Sequence, residues 1–262
     1  MWGRGRPSGE ALRWALNCPV ADRPRKALYF GVMKAICQMG PVILATFSFA
    51  LVMGAQEKSV KPGINDNFLD PALDPAQWVE RFEREGREVF DHRDRIVREA
   101  AIEPGMVVAD IGAGTGLFEP ALSRAVGAEG KVIAVDIIPK FLSLIAGKAK
   151  ARNLHNIGTV LSTSTSTNLK PNSVDLVFIC DTYHHFEFPH KTLSSIHQAL
   201  RPEGQIYLIE FSRIEGKSSE WMLNHVRAGE AVFTGEILEA GFEKVERFDF
   251  LSDNYILRFR KK

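Results

Sequence analysis

Cysteine is scarce. Cys18, Cys37 and Cys180 are the three in 262 residues, too few and too scattered for a disulfide framework or a paired-cysteine zinc site. Net charge is nearly absent as well, at +1 for the whole chain, and it is unevenly placed. Residues 1–55 carry seven Lys/Arg against Glu10 and Asp22, which leaves 26 basic and 30 acidic residues, net −4, in 56–262. The part that reads as folded therefore lacks the basic surface that DNA or RNA requires, and no nucleic-acid partner is expected. A comfortable membrane-spanning length is missing too. The apolar run at 40–55, GPVILATFSFALVMGA, has sixteen residues, short of the roughly 18–20 needed. What remains, 45% hydrophobic and 25% charged, is a globular composition, so disordered and collagen-like classes drop out.

The short apolar run fits the core of a secretory signal better than a span. Lys34 supplies a positive start, and Gly54 or Ala55 a small residue before a cleavage point. An uncleaved membrane anchor and a buried N-terminal helix are the alternatives. Residues 1–55 are thus expected to be an extension, with a signal peptide or anchor at 33–55. Membrane association through 40–55 and an exported or membrane-associated location follow, with the cytoplasm as the alternative. Residues 56–73 are polar and interrupted by Pro62 and Pro71, and they read as a linker. No protein partner is evident.

From Asp74 onward the pattern changes. Asp74-Pro75-Ala76-Gln77 reads as a helix start: an acidic N-cap, proline at the first helical position and glutamine three residues past the cap. Trp78, Phe82, Val89, Phe90, Ile96 and Val97 follow at helical spacing, with a break possible at Gly86. Apolar strand candidates then occupy 107–111, 131–135, 157–161, 174–180 and 205–209, separated by helical stretches at 117–126, 139–152 and 189–200. That alternation predicts an α/β fold with a doubly wound, mostly parallel sheet. Beyond Ser218 a longer helical region runs toward Gly241. Two last strands, 245–251 and 255–260, are close enough to form an antiparallel hairpin at the sheet edge.

The most informative segment joins the first strand to its helix. Asp110-Ile111-Gly112-Ala113-Gly114-Thr115-Gly116 places three glycines at alternate positions after a buried strand. Such residues permit positive φ and close approach of a ligand to the backbone. The dinucleotide fingerprint would need glycine at 117, where this chain has leucine, which counts against a nucleotide-cofactor oxidoreductase. The second strand ends at Asp136, placed to accept hydrogen bonds from ribose hydroxyls.

These residues resemble the cofactor site of class I S-adenosylmethionine-dependent methyltransferases, from about residue 75 to the C-terminus. Ala199-Leu200-Arg201-Pro202-Glu203-Gly204 and Glu239-Ala240-Gly241-Phe242 are most similar to the branch typified by ubiquinone/menaquinone-biosynthesis enzymes. The resemblance implies a seven-stranded sheet over a methyltransferase domain at 74–262, with S-adenosylmethionine as cofactor and a small-molecule or lipid-like acceptor. A domain that binds the cofactor without catalysis is the alternative. It also implies that Gly112, Gly114 and Gly116 line the methionine and ribose portion. Asp110 would help fix the loop and the amino group, and Asp136 would bind the ribose. The pattern departs in one place: the loop after the third strand is a Ser/Thr run at 162–167, without the usual acid near the adenine.

The acceptor is expected beyond the fourth strand, at Asp181-Thr182-Tyr183-His184-His185. Asp181, His184 and His185 are the candidate catalytic residues, one histidine as a base and Asp181 acting directly or orienting it. Tyr183, Glu210, His225 and Arg227 are candidate substrate contacts. Trp78, Phe82 and Arg87 are placed to close over the site or simply to pack. No metal is expected. Adjacent histidines lack the i,i+4 spacing that puts two ligands on one helical face, and the sequence shows no third ligand.

Overall fold

The protein is described from a computed structural model over residues 58–262. The expected leader or anchor at 33–55 lies outside these residues, and among the described residues no helix is long and apolar enough to cross a membrane. The strands are β1 (Val107–Ile111), β2 (Lys131–Asp136), β3 (Ile157–Leu161), β4 (Val174–Cys180), β5 (Leu200–Phe211), β6 (Phe242–Phe248) and β7 (Asn254–Lys261). They form one seven-stranded sheet in the order β3-β2-β1-β4-β5-β7-β6. The first five pair in parallel, and β7 pairs antiparallel with both β5 and β6. The chain winds outward from β1 to β3, then returns to start β4 on the other flank of β1. That reversal opens a crevice at the strand C-termini, where ligands bind in such sheets.

In chain order the helices are α1 (Asp66–Leu69), α2 (Pro75–Phe82), α3 (Glu88–Asp91), α4 (Arg93–Glu99), α5 (Glu119–Val126), α6 (Pro139–Ala151), α7 (Pro189–Ala199), α8 (Glu220–His225) and α9 (Glu230–Glu239). Alternate strand residues point to opposite faces, and this assigns two layers. Val108, Leu176 and Phe178 meet α4 and α5 through Ile96, Val97 and Leu122. Ala109, Val177 and Ile179 meet α7 and α9 through Leu193, Ile196 and Phe233. Strands buried on both faces read as continuous apolar runs, which is why β1, β2 and β4 are so plain in the sequence.

Several boundaries differ from expectation. The helical run after Asp74 breaks where Gly86 takes a φ of 83°, leaving α2, α3 and α4 as separate pieces. Asp74 does cap α2, its carboxylate accepting from Ala76 N at 3.0 Å. The region past Ser218 divides into α8 and α9 around the buried Val226. The penultimate strand starts at Phe242 rather than 245 because Phe242 is fully buried directly after the left-handed Gly241, and this anchors its register. The last two strands do form an antiparallel pair, but β7 is inserted inside the sheet and of the two β6 is the edge strand.

The linker reading of 56–73 is corrected for residues 58–73. Val60 N donates to the carbonyl of Glu187 at 2.9 Å, and Asn65 and Leu73 are buried. Phe68 stacks on Trp78 with ring centroids 4.4 Å apart. Polarity and prolines conceal a strap that packs on the domain by its few apolar and amide side chains.

One carboxylate ties the N-terminal helices to the far end of the sheet. Glu88 accepts from Ser252 N at 2.5 Å, Ser252 Oγ at 2.7 Å, Asp253 N at 2.9 Å and Asn254 N at 3.0 Å. Burial works against its charged form, but these hydrogen bonds outweigh it and hold the carboxyl below its ordinary range. Glu88→Ala should therefore lower stability by about 1–2 kcal/mol, the low end for several charge-assisted bonds at a half-exposed site. A denaturation midpoint indistinguishable from wild type would show the clamp to be dispensable.

Candidate active site

At the C-terminal end of β1 the backbone turns through Gly112, Gly114 and Gly116 at φ values of 73°, 54° and 84°. Gly112 is also constrained by space, since a Cβ there would stand 2.1 Å from Thr182 Cγ2. Gly114 sends its N–H to Asp136 Oδ2 at 2.8 Å. Both border a cavity of about 660 Å³, as do Asp110 and Asp136. Gly116 does not. A Cβ there would sit 2.9 Å from Ile145 Cγ1, so its role is to let α6 approach the turn, which corrects its assignment as a lining residue.

Asp136 takes a second backbone bond, from Ile138 N to Oδ1 at 2.8 Å. Burial pushes its carboxyl up to about 6, against the pull of the Gly114, Ile138 and Ile137 amides. Behind the turn Asp110 is joined by a second carboxyl, Glu119, that the sequence did not single out. Asp110 and Glu119 are both buried, and neither oxygen of Glu119 has a well-formed hydrogen-bond partner. Desolvation, and then the charge of Asp136, push Asp110 up to about 7, with the nearby Glu119 partly offsetting the rise. Glu119 is raised further by burial and by Asp110. An acid flanked by Phe118 and Pro120 at a helix start is the one local signal that could have marked it.

On the β2–β3 side the cavity is walled by Ile137, Ile138 and Phe141, and by Ser162, Thr163 and Thr167 of the hydroxyl run. Trp78, Phe82 and Arg87 border it from the N-terminal helices. Asn65 and Phe68 join them from the strap, where nothing in a polar, proline-broken segment announced a lining role.

The acceptor end departs most from expectation. Tyr183–His185 is a single 3₁₀ turn, and it directs both His184 and His185 to the cavity while turning Tyr183 away. Tyr183 is fully buried and donates its hydroxyl to Glu236 Oε2 at 2.8 Å, so it is no substrate contact. Arg227 is removed from the site for the same reason. It forks onto Glu236 at 2.8 and 2.6 Å and lies over the Phe233 ring. Asp181 lines the cavity but does not orient a histidine, because Arg87 Nη2 holds one oxygen at 2.7 Å and Asn254 Nδ2 the other at 2.6 Å. Desolvation still leaves Asp181 raised to about 6, opposed by the Arg87 charge.

The orienting carboxylate is Glu210. It is fully buried and does not border the cavity; its two oxygens each lie 2.9 Å from His184 Nδ1, so it holds a histidine and makes no substrate contact. His225, at the end of α8, does reach the cavity, with its ring stacked on Trp221 at 4.8 Å. Burial, then the neighbouring His184 and His225, depress His185 to about 2; burial and His184 depress His225 to about 4. Both imidazoles are neutral near pH 7.

The raised carboxyl beside the turn has a measurable consequence. A folded-state value above the ordinary 3.8 means that the native chain binds a proton the unfolded chain has released, so this group's contribution to stability is lost as pH rises from 3.8 to about 7. Asp110→Asn removes that loss. Its melting temperature minus that of wild type should become steadily more positive across this interval, and a flat difference would contradict the assignment.

Residues 109–208 match the family described as "Methyltransferase domain". Ubiquinone/menaquinone biosynthesis C-methyltransferase UbiE of Escherichia fergusonii is 31% identical over 117 residues, covering 44% of this chain and 46% of that protein. Demethylmenaquinone methyltransferase of Staphylococcus saprophyticus is 31% identical over 121 residues, covering 46% of this chain and 51% of that protein. The chain thus spans about half the length of the curated relatives it matches. A SAM-dependent methyltransferase from Aquifex aeolicus superimposes with a TM-score of 0.64 at 24% identity, covering 72% of this chain and 98% of that one, which bears on the fold. The stretch matched by the family holds the end of β1, all of β2 to β4, most of β5 and the glycine turn between its acidic partners. Over that shared core the chain carries a methyltransferase-type domain and is similar to the ubiquinone/menaquinone-biosynthesis methyltransferases.

Proposed function

We propose that this domain transfers a methyl group from S-adenosylmethionine to a small-molecule or lipid-like acceptor. The observation that carries the reading is one continuous cavity, which joins the Gly112–Gly114 turn and Asp136 at one end to the histidine cluster at the other. The residues fit the cofactor. Gly112 and Gly114 offer backbone where a side chain would intrude or strain the turn, and Asp136 keeps lone pairs for ribose hydroxyls beyond its two backbone bonds. Asp110 and Asp136 both border this end and offer carboxyl oxygens as acceptors for hydroxyl and ammonium groups of the ligand. Ile137, Ile138 and Phe141, with the hydroxyls of 162–167, supply an apolar slot with polar rims for the adenine in place of the usual acid.

When bound, S-adenosylmethionine supplies a methyl already activated on a sulfonium centre. The protein's own part is then chiefly to hold donor and acceptor in line and to exclude water. Phe68, Trp78 and Phe82 do the latter, as a cluster of tilted rings over the cavity. Binding of S-adenosylhomocysteine to the full-length chain, followed by calorimetry, tests the cofactor assignment. Asp136→Ala should weaken binding by about 1–3 kcal/mol, the order expected for lost charge-assisted hydrogen bonds. Undiminished affinity in a folded variant would remove Asp136 from the ribose site. Consumption of the methyl donor across a metabolite library then tests turnover, and its complete absence beside intact binding would favour a binding module without catalysis.

We also infer that residues 40–55 target the chain to a membrane, for anchoring or export. The support is their apolar composition after Lys34. Fractionation of the native protein with N-terminal sequencing should find the domain membrane-bound or shortened to a start near residue 56. A soluble cytoplasmic product that retains 40–55 would overturn this.

A further inference from the structure

His184, His185 and His225 converge although 40 residues separate the last from the pair. Their ligand nitrogens all lie within 4.8 Å of one another. Ring centroids are 4.3 Å apart for His184–His185, 5.0 Å for His184–His225 and 5.1 Å for His185–His225. The sequence offered no third ligand for the histidine pair; the fold provides one.

Neighbouring groups fix which nitrogens are available. Both oxygens of Glu210 already accept from backbone, from His184 N at 3.1 Å and Phe211 N at 2.7 Å, so with Nδ1 of His184 as a further donor the lone pair of that ring lies on Nε2. His184 is 1% exposed, and that Nε2 is buried without a hydrogen-bond partner. Asn65 settles His185 in the same way. Its Nδ2 donates to the His185 carbonyl at 3.1 Å, so its Oδ1 is the atom 3.1 Å from His185 Nδ1 and accepts the proton there. The Nε2 lone pair of His185 is again the free one. His225 is fixed by stacking on Trp221, which occupies neither ring nitrogen. The nearby cation, Lys61, directs its ammonium to the carbonyls of Asn224 and His225 at 2.6 and 2.7 Å, pinning the end of α8.

Acceptor nitrogens gathered this closely are suited to a shared cation. We propose that His184, His185 and His225 form a binding site for a divalent d-block cation of the zinc type, bordering the cavity and independent of the methyl-donor end. Imidazole is a suitable ligand for such ions. Three protein nitrogens with one position left open are the pattern of reactive rather than structural zinc sites. Carboxylate and amide partners on the distal nitrogens, here Glu210 and Asn65, are the support that metal-bound imidazoles require. With bonds of about 2.0–2.1 Å the nitrogens would lie roughly 3.3 Å apart, so a bound ion would draw them inward from their present span. The fourth position opens to the cavity and suits an anionic oxygen or sulfur ligand.

The test uses the full-length chain stripped with a chelator and titrated with Zn²⁺ or Co²⁺. One equivalent should bind, and Co²⁺ should develop visible ligand-field absorption. Zinc-edge absorption spectroscopy of the wild-type protein should show a nitrogen/oxygen shell with imidazole scattering. His225→Phe, which keeps a ring against Trp221, should abolish stoichiometric binding. Glu210→Gln should weaken it roughly 10–100-fold, as loss of an outer partner does. S-adenosylhomocysteine affinity, measured in parallel, reports the other end of the cavity separately. Failure of the wild-type chain to bind one equivalent, a shell lacking imidazole, or binding unchanged in His225→Phe would each overturn the site.

Discussion

The backbone of Gly112 and the side chain of Thr182 occupy adjoining space so closely that no β-carbon fits between them. β1 and β4 are parallel neighbours, with Val108 opposite Leu176 and Asp110 opposite Phe178, so their following loops emerge side by side at the same height. Thr182 Oγ1 then bonds the carbonyls of Cys180 at 2.9 Å and Gly112 at 3.3 Å. One loop holds the glycine turn and the next carries the histidines. Their contact therefore sets the separation between the two ends of the cavity, and a rigid sheet holds that separation fixed.

The strap and short helices before β1 complete the enclosure by polar anchors more than by apolar mass. Arg87 bonds Asp181 and the carbonyl of Phe82, Asn254 takes the other oxygen of Asp181, and Glu88 holds the loop that leads into Asn254. Asp181 adopts a φ of 49°, uncommon for a residue with a side chain, and the paired bonds on its carboxylate hold it there. An aspartate that reads as catalytic in sequence is in this fold the knot that joins three segments.

Legibility followed the physics of burial. Strands covered on both faces wrote themselves as apolar runs, and β1 and β4 begin and end where the sequence put them. The glycine turn and Asp136 were visible because left-handed backbone and a strand-end acid leave local marks. His225, Asn65 and Glu210 became meaningful only through tertiary placement. Their partners lie 40, 120 and 26 residues away, beyond any period a single segment can display. Tyr183 and Arg227 misled for the opposite reason, since Glu236 satisfies both out of reach of the cavity.

At one end of the sheet β6 has no neighbour on its outer side. Such an edge is a ready template for a foreign strand. Here Glu243, Lys244, Glu246 and Arg247 line it, and several are already matched within the chain: Arg260 takes Glu243, while Glu230 takes both Lys244 and Arg247. A second copy seeking to extend the sheet would have to strip solvent from these ions and break their pairings before gaining a ladder of backbone bonds. The free border thus works as a barrier to strand-by-strand aggregation, leaving concentrated protein to associate by other surfaces, if at all.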